Sequence, residues 1–305
     1  MEKLRFQVEP DAAGTRVDRL VMERVPTTRT EARELCRSGA VRLDGRRVSK
    51  GARASSGATL EIELPSLAPV LPEPELALDV RLLREDLVVV HKPAGMPTVP
   101  LERGETGTLA SALIARFPEM VGVGHRPREP GVIHRLDTQT SGLVVAARNA
   151  ETFERLHAGL IEGRFDKRYL AVCEAAGLAR EGTIDLPLCP DPEQYGRVIE
   201  APPGTYYRHE STTRYRVIET GARFALVELS VSRAFRHQVR AHLAAIGHPI
   251  AGDRLYGGPL DARLGERHAL HASYVAWAGD RTPTFSVEDP APRVFLELTL
   301  GAPAA

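Results

Sequence analysis

The chain has 305 residues, 43% of them hydrophobic, with basic and acidic side chains in equal number. That supplies enough apolar material for two packed domains and excludes wholesale disorder, while zero net charge excludes a protein that coats nucleic acid by bulk charge alone. Apolar runs such as Gly142–Ala147 and Leu87–Val90 are far too short to span a membrane, and the opening MEKLRFQVEP lacks the apolar core expected of a signal peptide.

Residues 14–64 read as a small α/β module. Arg16–Arg24 is predicted helical, with Val17, Leu20, Val21 and Val25 on one face, and Pro26 ends it. Thr28 or Thr30 can cap a second helix that runs to about Ser38, where Ser38-Gly39 supplies the stop. Val41–Leu43 is a short strand, Asp44-Gly45 a hairpin turn, and Leu60, Ile62 and Leu64 alternate with glutamates as in a half-buried strand. From Arg29 to Arg53 eight basic residues face three acidic ones, leaving this stretch at +5. Arg29, Arg33 and Arg37 recur every four residues and therefore share a helix face, continued by Arg42, Arg46 and Arg47 around the turn. Such a stripe suits a phosphate backbone, although a solvated helix face would look the same. The order Arg16-Val17-Asp18-Arg19-Leu20, basic helix, then Ser38–Gly45 resembles an S4-type RNA-binding domain, and the resemblance selects the first reading.

Residues 65–77, with Pro65, Pro69, Pro72 and Pro74, read as an extended, semi-rigid linker. Residues 78–300 read as one larger α+β domain. Leu87–His91 is a strand closed by a Lys92-Pro93-Ala94-Gly95 turn, and Thr108 caps a helix to Phe117. Gly142–Ala147 is a buried strand, and Asn149 caps a helix with Phe153, Leu156, Leu160 and Ile161 as its apolar stripe. Tyr169–Val172 and Phe224–Val231 are strands, Gln238–Ile246 is a helix with Val239, Leu243 and Ile246 inward, and Ala269–Trp277 and Val294–Leu300 are late strands. Helices and strands do not alternate strictly, so a mixed, mostly antiparallel sheet is expected.

Two stretches carry chemistry. Gly131–Val145 places His134, Arg135, Asp137, Thr138 and Ser141 between an apolar approach and a buried strand, where a rigid scaffold concentrates active sites. Val231–Leu243, continuing into Gly247–Gly257, runs a strand into a helix whose first turns carry Arg236, His237 and Arg240. Asx turns and snorkelling arginines would account for the same residues structurally.

HRLD-x-x-TSG and HQVRAHLAAIGHPIAGDRLYG together resemble the two signature blocks of the RluA-type pseudouridine synthases. Val88–Gly95, Lys167–Val172 and Ala269–Ala272 agree in order and spacing, and an S4-type module in front is a common arrangement in that family. The resemblance implies a pseudouridine synthase fold, with Asp137 as catalytic aspartate, Arg240 paired with it and Tyr169 stacked on the target base. Arg135 would push the base from its stack, with His134 and Arg236 nearby on the RNA and Ile133 and Leu270 as apolar walls. The chain departs from the family where Ala234-Phe235 stands for the usual Gly-Arg, and Arg236 could take over that arginine's contact.

The implied reaction exchanges a C–N for a C–C glycosidic bond with nothing oxidised, gained or lost, so no metal and no redox cofactor is expected. A carboxylate serves either as nucleophile or as base at C2′. Burial raises a carboxyl pKa, and a guanidinium gripping Asp137 bidentately would lower it again, which is the reason to want Arg240 and not a lysine. Asp253 and Tyr256 are read as shaping a turn, and the histidines as structural, since no HExxH or Cys/His cluster exists. Cys36, Cys173 and Cys189 are scattered, which fits a reducing cytoplasm. The expected partner is structured RNA, large-subunit ribosomal RNA first and tRNA second, modified by a monomer. A non-catalytic RNA-binding or ribosome-assembly factor on this fold is the competing reading; a glycoside hydrolase would want two carboxylates in the loop.

Overall fold

The computed structural model describes residues 2–25, 29–48, 51–64, 70–100, 104–194, 196–205, 208–231, 234–279 and 284–301. Pro26, Thr28, Lys50, Pro65, Pro69 and Arg233 lie outside the described residues, as do the side chains of Arg29 and Thr30. The chain divides into two compact units, Met1–Pro69 with His125–Arg128, and Val70–Gly124 with Glu129–Ala305.

In the first unit, β1 (Glu2–Gln7), β4 (Thr59–Leu64), β2 (Val41–Leu43) and β3 (Arg46–Arg47) form an antiparallel sheet in that order. The unit starts earlier than residue 14 because β1 pairs along the whole of β4. Helices α1 (Val17–Arg24) and α2 (Arg29–Ser38) supply Val17, Leu20, Val21 and Ala32 to a core shared with Val41, Leu60 and Ile62. Asp44 and Gly45 both take positive φ, the conformation a two-residue hairpin needs.

The second unit is built on nine strands in one mixed sheet, ordered β5 (Asp79–Leu83), β6 (Leu87–Lys92), β7 (Ser141–Ala147), β14 (Leu270–Trp277), β8 (Phe165–Glu174), β13 (Phe224–Ser230), β12 (Thr212–Thr220) and β9 (Glu181–Asp185), with β15 (Phe285–Glu288) also on β14. Every pairing is antiparallel except β7 with β14. There Gly142 sits at φ +115°, and a Cβ would lie 2.2 Å from the Ala272 carbonyl oxygen, so only glycine lets the two strands meet. A small ribbon, β10 (Leu188–Pro190) with β11 (Val198–Glu200), stands apart.

Along β7, Val144 and Ala146 join one core and Leu143, Val145 and Ala147 the other. Helices α3 (Leu109–Arg116), α5 (Gln238–Ala245) and α6 (Arg293–Leu300) pack on the first face, and α4 (Ala150–Ile161) on the second. Thr108 and Asn149 accept from the N–H groups of Ser111 and Thr152, the two expected N-caps. Two expectations change. Ile161 and Ile246 are exposed and not inward. Val294–Leu300 is helical and not a strand: Phe295, Leu298 and Thr299 are buried while Leu296 and Leu300 are exposed, a helical period that apolar alternation at Val294, Leu296, Leu298 and Leu300 had masked. No helix among the described residues is long and apolar enough to cross a membrane.

Candidate active site

The loop before β7 is held at nearly every residue. Ile133 N–H bonds the Val145 carbonyl, and His134 Nε2 accepts from Val145 N–H at 3.3 Å. Thr98 Oγ1 donates to the Leu136 carbonyl and accepts from its N–H. Thr140 N–H bonds the Asp137 carbonyl at 3.0 Å, making the turn that presents Asp137. Lys92, wholly buried, donates to the carbonyls of Pro93, Met96 and Thr138 at 2.9, 2.7 and 3.1 Å and so ties its own turn to this loop. Burial pushes the Lys92 amine down to about 7, with Asp137 opposing the shift and Arg267 adding to it.

At the other side His237 adopts the left-handed conformation, φ 56°, and starts α5. Arg240, in the first turn of α5, donates Nη1 to Asp137 Oδ2 at 2.8 Å. Its fork, Nε and Nη2, goes to Asp253 Oδ2 and Oδ1 at 2.6 and 2.9 Å. The expected bidentate grip on Asp137 is therefore corrected: Asp253 takes the fork, and Asp137 receives one N–H. The Asp137 side chain keeps 28% of its surface exposed, against 1% for Asp253. Among the described residues nothing donates to Asp137 Oδ1. Burial pushes the Asp137 carboxyl up, but His237, Arg240 and His268 together carry it below its ordinary value. Burial also drives His237 and His268 down to about 4, so at neutral pH the Arg240 guanidinium is the charge that keeps Asp137 ionised.

Tyr169 is buried on β8, and burial, with Asp137 close by, raises its hydroxyl pKa so that it stays neutral. Leu270 and Leu136 share its core, and Leu270 pairs with Ala171 two residues along. Tyr256 lies under the Arg240 guanidinium, 5.1 Å from ring centre, and its hydroxyl accepts from Val198 N–H. Thr140 Oγ1 is bonded to His268 Nε2 at 2.7 Å. Further back, Ser141, His271 and Asp289 stand in a line that also takes in His91 and Arg267. These three are 2%, 1% and 3% exposed, and the Ser141–His271 bond ties β7 to β14.

Of the predicted residues, Asp137, Arg240, Tyr169 and Leu270 come together. Ile133 lies in the second core with Val89, Val145 and Phe153, apart from the cluster that holds Tyr169 and Leu270. His134 points into the same backbone that Ile133 bonds, and burial with Lys167 nearby holds it neutral, at about 3. Arg135 is exposed and paired with Glu129 at 3.1 Å; Arg236 is exposed and donates to the Gly196 carbonyl. In the first unit, Arg33 bonds the buried Asp18 and Arg37 grips Glu34 with two N–H groups, so these two members of the stripe are ion-paired. Arg42 donates to the Gly45 carbonyl, and Arg46 and Arg47 are exposed. Sequence reasoning missed Asp253 and Lys92. The one available signal was an acidic residue in the same block as Arg240, between Gly252 and Tyr256.

Fold and site thus describe a protein with one ionised carboxylate beside a buried tyrosine and a guanidinium. A sequence profile of the family described as RNA pseudouridylate synthase matches residues 86–245. An uncharacterized RNA pseudouridine synthase of Chloroflexus aurantiacus is 33% identical, covering 90% of this chain and 85% of its own. Ribosomal large subunit pseudouridine synthase D of Xylella fastidiosa is 34% identical over 86% of this chain and 78% of its own. Among solved structures, human RNA pseudouridylate synthase domain containing 1 superposes with a TM-score of 0.57 at 26% identity, covering 72% of this chain and 86% of that one. The chain belongs to the RNA pseudouridylate synthase family, and it is an RNA pseudouridine synthase, an isomerase.

Proposed function

We propose that this enzyme isomerises a uridine of large-subunit ribosomal RNA, with Asp137 as its catalytic carboxylate. The observation that carries the Asp137 assignment is its single 2.8 Å bond from Arg240 Nη1, which holds the acid ionised at Oδ2 and leaves Oδ1 for the nucleotide. The extruded uridine enters beside Asp137, and Tyr169 and Leu270 give it an apolar, stacking surface. Oδ1 then acts either as nucleophile or as the base at C2′. Arg135 exchanges Glu129 for the space the base vacates. The ribosomal substrate is supported by relatives named for the large subunit. The first unit is an S4-like RNA-binding module that adds affinity through Arg42, Arg46 and Arg47, and Arg33 and Arg37 reach phosphate by exchanging their carboxylate partners.

The test follows from the chemistry. Forming the new C–C bond expels the hydrogen on C5, so a large-subunit RNA transcript tritiated there releases tritium on turnover. Asp137→Asn abolishes release while RNA affinity survives; release at the wild-type rate would end the assignment.

A further inference from the structure

Phe235 stands at the departure from the family pattern, and the structure gives it an occupation. Its ring lies on the imidazole of His209, centroids 3.9 Å apart and planes inclined by 24°. We propose that this stacked pair is a platform for a nucleobase of the RNA strand flanking the target uridine.

Both rings are preorganised. His209 exchanges both backbone hydrogen bonds with Leu188, at 2.8 Å each. Phe235 packs against the cluster of Leu188, Val198, Ala241 and Tyr256, and its N–H bonds Gln238 Oε1 at 2.9 Å. Gln238 is buried and fixed in turn by Thr212 and Thr213. His209 is nonetheless exposed, and among the described residues its imidazole has no hydrogen bond and no ring contact except Phe235. One face is covered by Phe235, and the residue as a whole is exposed. An exposed, immobilised π-face presents a stacking surface to any base and a larger overlap to a purine.

Charge and position suit RNA, the polymer on which this family acts. Arg236, next in sequence, is exposed, and no carboxylate among the described residues meets its charge. The platform is continuous with the active site: Phe235 packs on the cluster holding Tyr256, Tyr256 lies under Arg240, and Arg240 reaches Asp137. This chain of packed residues places the platform on the Arg240 side of the site, and a strand leaving Asp137 on that side puts a neighbour of the target nucleotide on His209. The inference rests on the uridine-isomerising site at Asp137 and adds to it a preference for what flanks the uridine.

The test uses the full chain and two labelled RNA oligomers of about twelve nucleotides, each with one uridine, flanked on both sides by adenosine in one and by abasic ribose in the other. In fluorescence anisotropy the wild type binds the adenosine-flanked oligomer about tenfold more tightly. His209→Ala brings the two within about twofold. Phe235→Arg does the same, while its salt dependence steepens by about one phosphate contact. A wild type that does not favour the adenosine-flanked oligomer overturns the proposal, and so does a preference that survives in both variants. An active Asp137→Asn would instead overturn the catalytic reading and leave the platform standing.

Discussion

Replacing Asp253 by asparagine probes the arrangement that the structure adds to the expected site. Asp253 accepts two charge-assisted bonds from Arg240 and is almost wholly buried, while Asp137 takes the third N–H. Asparagine has the shape but only one acceptor oxygen, so one of the two bonds is lost and the other keeps a cationic donor but a neutral acceptor. Hydrogen bonds to charged groups contribute about 1.5–3 kcal/mol. On the role proposed for Asp137, Asp253 acts on kcat only through the placing of Nη1. Misplacing that group by about 2–3 kcal/mol lowers kcat by about 30- to 150-fold, with KM for the RNA little changed. The discriminating measurement is a double-mutant cycle. In an Arg240→Met background, where there is no guanidinium left to position, Asp253→Asn costs nothing further in kcat. A kcat within about threefold of wild type, or a full second loss in the Arg240→Met background, refutes positioning through Arg240. Urea denaturation of each variant separates this from a loss of folded protein.

The buried histidines predict how stability responds to acid. His237, His268 and His271 are pushed down to about 4 from 6.5, mainly by burial, so between those values the unfolded chain binds more protons. Stability is fully present above 6.5 and falls as pH drops towards 4; a urea midpoint flat from pH 6.5 to 4.5 contradicts it. Gly142→Ala drives a Cβ against Ala272 at φ +115° and costs about 3 kcal/mol or more, read from urea melts; a loss under about 1 kcal/mol means that the β7–β14 junction can open. Arg46→Ala with Arg47→Ala weakens binding of ribosomal RNA uniformly across sequences and lowers the salt slope by about two contacts, measured by filter binding from low to moderate salt; an unchanged slope removes these residues from the RNA surface.

Much of the fold was legible because local signals agreed with tertiary ones. Thr108 and Asn149 cap the helices they were expected to cap, and the Asp44-Gly45 hairpin and the buried run at Gly142–Ala147 fall where period and turn chemistry put them. The failures are cases where periodicity alone was ambiguous. Val294–Leu300 satisfies alternation and helical spacing at once, and only burial of Phe295 and Leu298 against the sheet decides between them. Ile133 reads as an apolar neighbour of Asp137, yet its backbone pairing with Val145 turns it to the other face, a register that no local pattern encodes. β1 was missed because its partner, β4, lies more than fifty residues away.

At the site, residue types were legible and bond allocation was not. The family resemblance implies a guanidinium beside Asp137, but which carboxylate receives the fork depends on a turn that delivers Asp253 to the buried side of Arg240. The allocation has a chemical consequence. A carboxylate gripped by two N–H groups has both oxygens engaged, which stabilises the anion and dulls it as base or nucleophile. Giving the fork to Asp253 separates the two tasks. Asp253 is the carboxylate that is pinned, buried and inert, and it makes Arg240 rigid. Asp137 takes one bond from Arg240, at Oδ2, and the proposed mechanism uses the other oxygen, Oδ1. Of the two carboxylates that share the guanidinium, Asp137 is the one with surface to offer a substrate, 28% exposed against 1% for Asp253.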